Sequence, residues 1–102
     1  MHDHGNASER EQRIAFVVAE AFAQNLHRLR REVGLNQERL AERAVLHRTE
    51  ISLLERARRV PRIDTVLRIA GALEAEPGEL LTGIRWMPVL RASFDGSGWT
   101  RQ

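Results

Sequence analysis

Two short stretches in the middle of the chain carry apolar residues at helical spacing. Residues 45–47 alone separate the two patterns, which leaves room only for a tight turn between helices that cross at a large angle. Leu46 is apolar inside this turn and can fill the angle between the helices. The apolar positions are Leu40, Ala41 and Ala44 in the first stretch and Ile51 and Leu54 in the second.

The second of these helices keeps several side chains off its buried face. They are free to contact another molecule, and this arrangement is typical of a helix-turn-helix, whose second helix enters the major groove of DNA. These side chains are Arg48, Thr49, Ser52 and Leu53.

Capping and turn residues predict three helices besides these two, one before them and two after, and they set the bounds of all five. Ser8 and Glu11 form a capping box, so the first helix is predicted to begin near Glu9 and to end at Gly34. The other predicted helices span about 37–44, 48–56, 63–75 and 77–82, with Asn36 and Pro77 at two of their starts. The apolar residues predicted to face the core from the last two helices are Ile63, Val66, Leu67, Ile69, Ala70, Leu73, Leu80 and Leu81.

The first helix is longer than a compact five-helix domain needs. Its first half, with Ile14, Phe16, Val17 and Val18, would overhang the domain and expose apolar surface, which often marks a partner surface. The pattern alone does not distinguish this arrangement from a first half that bends back onto its own domain.

The C-terminal tail, residues 84–102, has a different pattern. From Trp86 to Phe94 apolar and other residues alternate with a period of two, which predicts a strand that Pro88 confines to a sheet edge. Asp95 and Gly96 suit a hairpin turn. Because one strand is not stable alone, the tail is expected to pack on the domain or to pair with another chain.

Composition narrows the class of protein. The 102 residues suit one domain, and 42% hydrophobic residues suffice for a small helical core. The absence of cysteine excludes a disulfide framework and a thiolate metal site, and His2 and His4 lack further ligands, so no metal or cofactor is expected. No signal peptide or apolar run of about 18 residues indicates export or a membrane, so we expect a cytoplasmic, nucleoid-associated protein.

The positive charge is concentrated on the two central helices and their flanks. Residues 27–68 contain eleven arginines and six acidic residues, a net charge of +5, whereas the whole chain carries +2. This distribution favours a polyanionic partner such as double-stranded DNA, although an ordinary solvated surface would look the same. All basic residues are arginine, which suits bidentate contacts, and a GC-rich genome would give the same bias.

The chain resembles the xenobiotic-response-element (XRE) family, which includes phage repressors and Cro, from about residue 23 to 83. The resemblance is carried by LNQERLAERA at 35–44, ISLLE at 51–55, a basic loop ending at Pro61, and TVLRIAGALEAEPGELL at 65–81. It implies an all-α, five-helix lambda-repressor-like DNA-binding domain that usually acts as a dimer. Here that domain, 9–83 with its helix-turn-helix at 37–56, would follow a disordered tail at 1–8.

The resemblance also implies roles for individual residues. Bases would be contacted by Arg48, Thr49, Ser52 and Leu53, with Arg48 suited to guanine. Phosphates would be contacted by Asn36, Gln37, Arg58, Arg59 and Arg62, although solvated loop arginines remain the alternative for the last three.

Two further features follow from the resemblance. Arg30 and Glu55 match positions where family members often hold an internal ion pair. Val45 and Ala57 stand where the family commonly has glycine, so either these turns adopt a negative φ or some stability is lost.

No catalytic constellation is visible, so we do not expect an enzyme. We expect a sequence-specific transcriptional regulator, a repressor, that binds a palindromic site as a homodimer. The alternative is an antitoxin or interaction module of the same fold whose tail binds a partner protein, either a toxin or a regulator. The expected dimer or partner surface comprises Ile14, Val17, Val18, Trp86, Val89, Leu90 and Phe94, with the C-terminal segment favoured as the main contact.

Overall fold

The computed structural model describes residues 2–86, and side chains from residue 8 onward. This part of the chain is all-α, as predicted. The strand or hairpin of the tail, with Val89, Leu90 and Phe94, lies outside the described residues. The helices are α1 (His2–Val33), α2 (Gln37–Ala44), α3 (Arg48–Glu55), α4 (Ile63–Leu73) and α5 (Pro77–Leu80).

One apolar core lies between the helices and fixes the position of α3. α3 packs against both α1 and α2, and α2 also packs against α4. The apolar faces predicted for the two central helices are buried, and Leu46 packs half-buried against the same core, which confirms that prediction. Each fully buried leucine or isoleucine side chain among them contributes about 1.5–3 kcal/mol by leaving water. The largest fully buried side chains are Phe22, Leu26, Leu40, Ile51, Leu54, Ile69 and Leu80.

The predicted core face of the last two helices is wrong at three positions. Ile63 and Leu67 are exposed on α4, and Leu81 is exposed beside the buried Leu80. α4 buries one stripe, which runs through Val66, Ile69, Ala70 and Leu73, and the two exposed residues lie one turn apart outside that stripe.

α1 begins earlier than predicted. It starts at His2, so Ser8 lies inside the helix and does not cap it. A capping box is a local signal, and it has no effect where the preceding residues already continue the helix. Because α1 is one uninterrupted helix to Val33, its first half does not bend back onto the domain, and Phe16 and Val17 are exposed.

Each of the first four helices is followed by a residue in the left-handed backbone conformation. Gly34 follows α1 with φ +85°, and Val45, Ala57 and Glu74 follow the next three helices with φ of 58°, 57° and 55°. After α2, for example, the N–H of Leu46 donates to the carbonyl of Ala41 at 2.9 Å. Only glycine adopts this conformation freely, so the other residues cost about 1–3 kcal/mol each. The turns at Val45 and Ala57 therefore keep a positive φ at the expense of stability.

Candidate nucleic-acid interface

The last residue of α3, Glu55, holds this helix in place. Its carboxylate accepts hydrogen bonds from Nε and Nη2 of Arg30, the latter at 3.0 Å, and from Nε2 of Gln37 at 3.1 Å. The ring Nδ1 of His27 lies 3.2 Å from the same carboxylate. The structure thus brings Arg30 and Glu55 together in a pair whose side chains are almost completely buried. One carboxylate links α1, α2 and α3.

Each member of this pair stabilises the charged form of the other. Burial raises the pKa of Glu55, but the hydrogen bonds from Arg30, Gln37 and His27, together with the charge of Arg30, hold it below its usual range. The hydrogen bond to Glu55 raises the pKa of Arg30 against the lowering effect of burial. Arg30 also donates from Nη1 to the carbonyl of Leu35 at 2.7 Å, which fixes the loop before α2.

The outward face of α3 presents the side chains expected to contact bases. Arg48 and Thr49 are exposed, and Ser52 and Leu53 are half-buried beside them. Within the described residues, the side chains of Arg48 and Thr49 form no hydrogen bond or ion pair. The opposite face of the helix is anchored by buried Ile51 and Leu54, so the outward residues are held on a fixed support.

The start of α2 lies next to this helix. Asn36 caps α2, because its side-chain oxygen accepts a hydrogen bond from the N–H of Arg39 at 2.7 Å. Gln37 is half-buried and is oriented by its bond to Glu55. The remaining free N–H groups of the first turn of α2 can still bind an anion.

The three arginines expected to contact phosphates from the loop after α3 have different partners. Nη1 of Arg59 donates to Glu50 at 3.1 Å, and Nε of Arg62 donates to Asp64 at 3.1 Å. Arg58 is exposed and has no ion pair within the part of the chain that the structure describes. Among the three, Arg58 is therefore the arginine best able to contact a phosphate without breaking an existing pair.

Two exposed arginines that contribute to the central positive charge donate hydrogen bonds to backbone carbonyls. Arg43 donates to the carbonyl of Ala72 at 3.3 Å, and Arg68 donates to the carbonyl of Val45 at 3.2 Å. Both satisfy carbonyls near helix ends, a common role of arginine there. Both residues are exposed and their carbonyl partners are neutral, so their charges still count toward the net +5 of this region.

Asn25 is a structural residue that the sequence pattern did not single out. It is buried in α1, and its Nδ2 donates to the carbonyls of Leu80 and Thr82, both at 2.9 Å. A polar residue inside the apolar stripe of α1 was the available signal, since a buried amide needs partners. This contact ties the end of α5 to α1.

Neither a metal-binding cluster nor a membrane-spanning helix is found in the described part of the chain. Within residues 8–86, no group of three His, Asp or Glu side chains is placed to hold a metal ion. No helix in the described part is long and apolar enough to cross a membrane.

A helix-turn-helix domain with an exposed recognition face on α3 defines the class of this protein. The helix-turn-helix family model matches residues 26–80, more than half of the chain. The chain belongs to the XRE-type helix-turn-helix family of DNA-binding transcription regulators. This is a family of regulators rather than of enzymes.

Individual relatives agree with this assignment. An uncharacterized HTH-type transcriptional regulator, y4dJ from Sinorhizobium fredii, is 43% identical over 57% of this chain and 75% of its own length. The control protein C.SmaI from Serratia marcescens is 38% identical over 64% of this chain and 77% of its own. The crystal structure of the restriction-modification controller protein C.AhdI from Aeromonas hydrophila is similar with a TM-score of 0.60 and 39% identity, over 61% of this chain and 94% of that one.

The family match leaves two parts of the chain outside it. Residues 1–25, which include the first half of α1, precede the match, and residues 81–102 follow it. The alignment with the C.AhdI structure likewise leaves about two fifths of the chain uncovered.

Proposed function

We propose that this regulator binds a palindromic DNA site as a homodimer, with α3 of each copy in a major groove, and that it represses transcription. The observation that carries the proposal is the exposed face of α3, on which Arg48 has no partner within the described residues. The proposal is also supported by Gln37, which is bonded to Glu55 at the end of α3, and by Arg58, Arg59 and Arg62 in the loop that follows.

The proposed roles follow from the chemistry of each side chain. Arg48 would donate to O6 and N7 of guanine, Thr49 and Ser52 would contact base edges, and Leu53 would contact a thymine methyl group. Asn36, Gln37, Arg58, Arg59 and Arg62 would contact phosphates. Arg59 and Arg62 would have to leave or share their carboxylates, so we place Arg58 first among the loop arginines.

The first test compares Arg48→Ala with Arg58→Ala, which remove the same charge. Arg48→Ala should weaken binding to the specific site by about 1–3 kcal/mol and relax the preference at one base pair. Arg58→Ala should weaken binding to all duplexes and flatten the log–log salt dependence by about one unit, because one phosphate is no longer neutralised. Fluorescence anisotropy with a selected site and a scrambled duplex, at several salt concentrations, measures both.

Three results would contradict parts of this proposal. If Arg48→Ala weakens specific and scrambled DNA equally, Arg48 is a phosphate contact. Binding that does not change with salt, or no binding to any duplex, would remove DNA binding through this face. A reporter gene behind the selected site that is activated by the protein would overturn the proposed repression.

The homodimer is proposed from the size of the recognition surface. One α3 covers only a few base pairs, and a two-fold pair would place the two helices about 34 Å apart, one turn of DNA. Inserting five base pairs, about half a turn, between the two half-sites should then abolish cooperative binding. An insertion of a full turn should preserve more of it.

The likeness to C.AhdI supports a second, finer proposal about the genes that are controlled. C.AhdI is named a restriction-modification controller, and the identity of 39% extends over nearly all of its structure. We infer that this chain controls restriction and modification genes. Binding to DNA upstream of such genes beside its own would support this, and selection of unrelated operators from the genome would contradict it.

A further inference from the structure

The two parts of the chain outside the family match meet in one apolar groove. The groove has a volume of about 430 Å³ and lies between the first half of α1 and residues 83–86. Ile14, Val17 and Val18 line it from α1, and Ile84 and Trp86 line it from the other side. Two apolar surfaces that are far apart in sequence therefore form one surface, and Val17 and Trp86 remain 62% and 68% exposed in it.

The wall formed by residues 83–86 is fixed to the domain. Asn25 binds the carbonyls of Leu80 and Thr82, and Ile84 packs against the core. From there Gly83, Ile84, Arg85 and Trp86 line the groove opposite residues 13–21 of α1. A groove with one wall on a long helix and the other held by buried contacts is preformed, which lowers the cost of binding.

The groove has a definite length. Residues 8–13 of α1, SEREQR, are polar and exposed, so the apolar stripe begins at Ile14 and ends at Ala21. This stripe spans about two helical turns, or roughly 10 Å. A matching helix with a stripe of the same length fits such a surface, whereas a long apolar segment would extend beyond it.

The charges beside the stripe indicate which helix fits. Arg13 and Glu20 are seven residues apart, so they lie on the same flank of α1, about two turns from each other. Neither residue has an ion pair within the described part of the chain. A two-fold axis perpendicular to α1 near Val17 exchanges these two positions, so Arg13 of each copy would face Glu20 of the other.

We infer that the occupant of this groove is a second copy of the chain, whose α1 packs antiparallel against the first through Ile14 and Val17. The inference rests on the homodimer of the proposed function and names its contact surface. Trp86 of each copy covers the other end of the paired stripe, and two Arg13–Glu20 pairs set the register. α1 thus serves both the core of its own domain and the dimer.

The first experiment uses two adjacent exposed residues of the full-length chain. Val17→Glu should give monomers in analytical ultracentrifugation at concentrations where the natural protein is dimeric, with a dimer Kd raised at least about 100-fold. Phe16→Glu is the matched control, because Phe16 is 60% exposed on another face of the same helix. It should leave the dimer intact. Circular dichroism and thermal melts of both variants check that the domain is folded.

A charge-exchange experiment tests the register. Arg13→Glu and Glu20→Arg should each weaken the dimer by about tenfold, because each places like charges opposite each other twice. The double variant should return the Kd to within about threefold of the natural value, since it restores both pairs with their signs reversed. A merely destabilised fold would not recover in this way.

Each alternative outcome is distinguishable. A dimeric Val17→Glu variant, or a double variant weaker than both singles, would overturn the inference. So would a chain ending at Trp86 that is monomeric, because the contact would then lie in residues 87–102. If the natural protein is dimeric by α1 but binds no duplex, the proposed function fails and this surface stands. If it binds DNA but is monomeric at tens of micromolar, this inference fails and DNA binding stands.

Discussion

The two halves of α1 have the same kind of sequence and different surroundings. In the inner half, from Ala19 to Val33, Phe22 and Leu26 are fully buried against the other helices. In the outer half, Ile14 and Val17 recur at the same helical spacing but are exposed, as is Phe16 on another face. Periodicity shows which face of a helix is apolar, and it does not show whether the same chain or another molecule covers that face.

The largest expected effect is a difference in unfolding free energy between a substitution in the inner half and one in the outer half. Leu26→Ala should lower the free energy of unfolding by about 4 kcal/mol, because it removes a fully buried side chain and leaves a cavity. Phe16→Ala, although it removes more atoms, should lower it by less than about 1 kcal/mol. Urea unfolding followed by circular dichroism measures both. Equal decreases would show that the outer half belongs to the folded core.

A second expected effect concerns the ion pair that Arg30, in the inner half, forms with Glu55. Glu55→Gln should lower the free energy of unfolding by about 3 kcal/mol near neutral pH, because it leaves Arg30 without its carboxylate. The exposed pair of Arg39 and Glu42 is the control, and Glu42→Gln should change stability by less than about 0.5 kcal/mol.

The same variant has a defined pH dependence. The pKa of Glu55 is lowered in the folded state, so its contribution is fully present above the unfolded-state pKa of about 4.3. It is lost as the pH falls through the lower folded-state pKa. The natural protein and Glu55→Gln should therefore converge in stability in acid. A gap that stays constant from neutral pH to about pH 3 would show that the carboxylate charge is not the cause.

The smallest expected effect concerns the start of the outer half. Ser8 lies within α1, so Ser8→Ala should leave the stability of the helix unchanged or raise it by about 0.5 kcal/mol. If Ser8 instead capped a helix beginning near Glu9, the same change would cost about 1 kcal/mol. Far-ultraviolet circular dichroism and a thermal melt distinguish the two signs.

The sequence predicted most of the inner structure because several local signals agreed. Asn36 caps α2, Gly34 ends α1, and the apolar faces of α2 and α3 are buried as expected. The errors at Ile63 and Leu67 arose because apolar residues surround much of α4, so the pattern did not define one stripe. This depends on which helices pack against α4, which periodicity does not encode.

The candidate interface was less predictable than the fold. The face of α3 follows from spacing, but the partners of individual arginines do not. Arg59, Arg62, Arg43 and Arg68 look alike in sequence, yet two pair with carboxylates and two with carbonyls. Only the three-dimensional arrangement leaves Arg58 as the arginine of the loop without such a partner within the described residues.

The left-handed turns on either side of α3 have a consequence for its dynamics. Val45 precedes α3 and Ala57 follows it, and each is strained at φ near +57°. Local unfolding of the segment between them would release that strain, so the opening free energy of α3 is lowered by about 1 kcal/mol for each turn. The backbone amides of α3 should therefore exchange their hydrogens for deuterium roughly five- to tenfold faster for each strained turn than they would between two glycines.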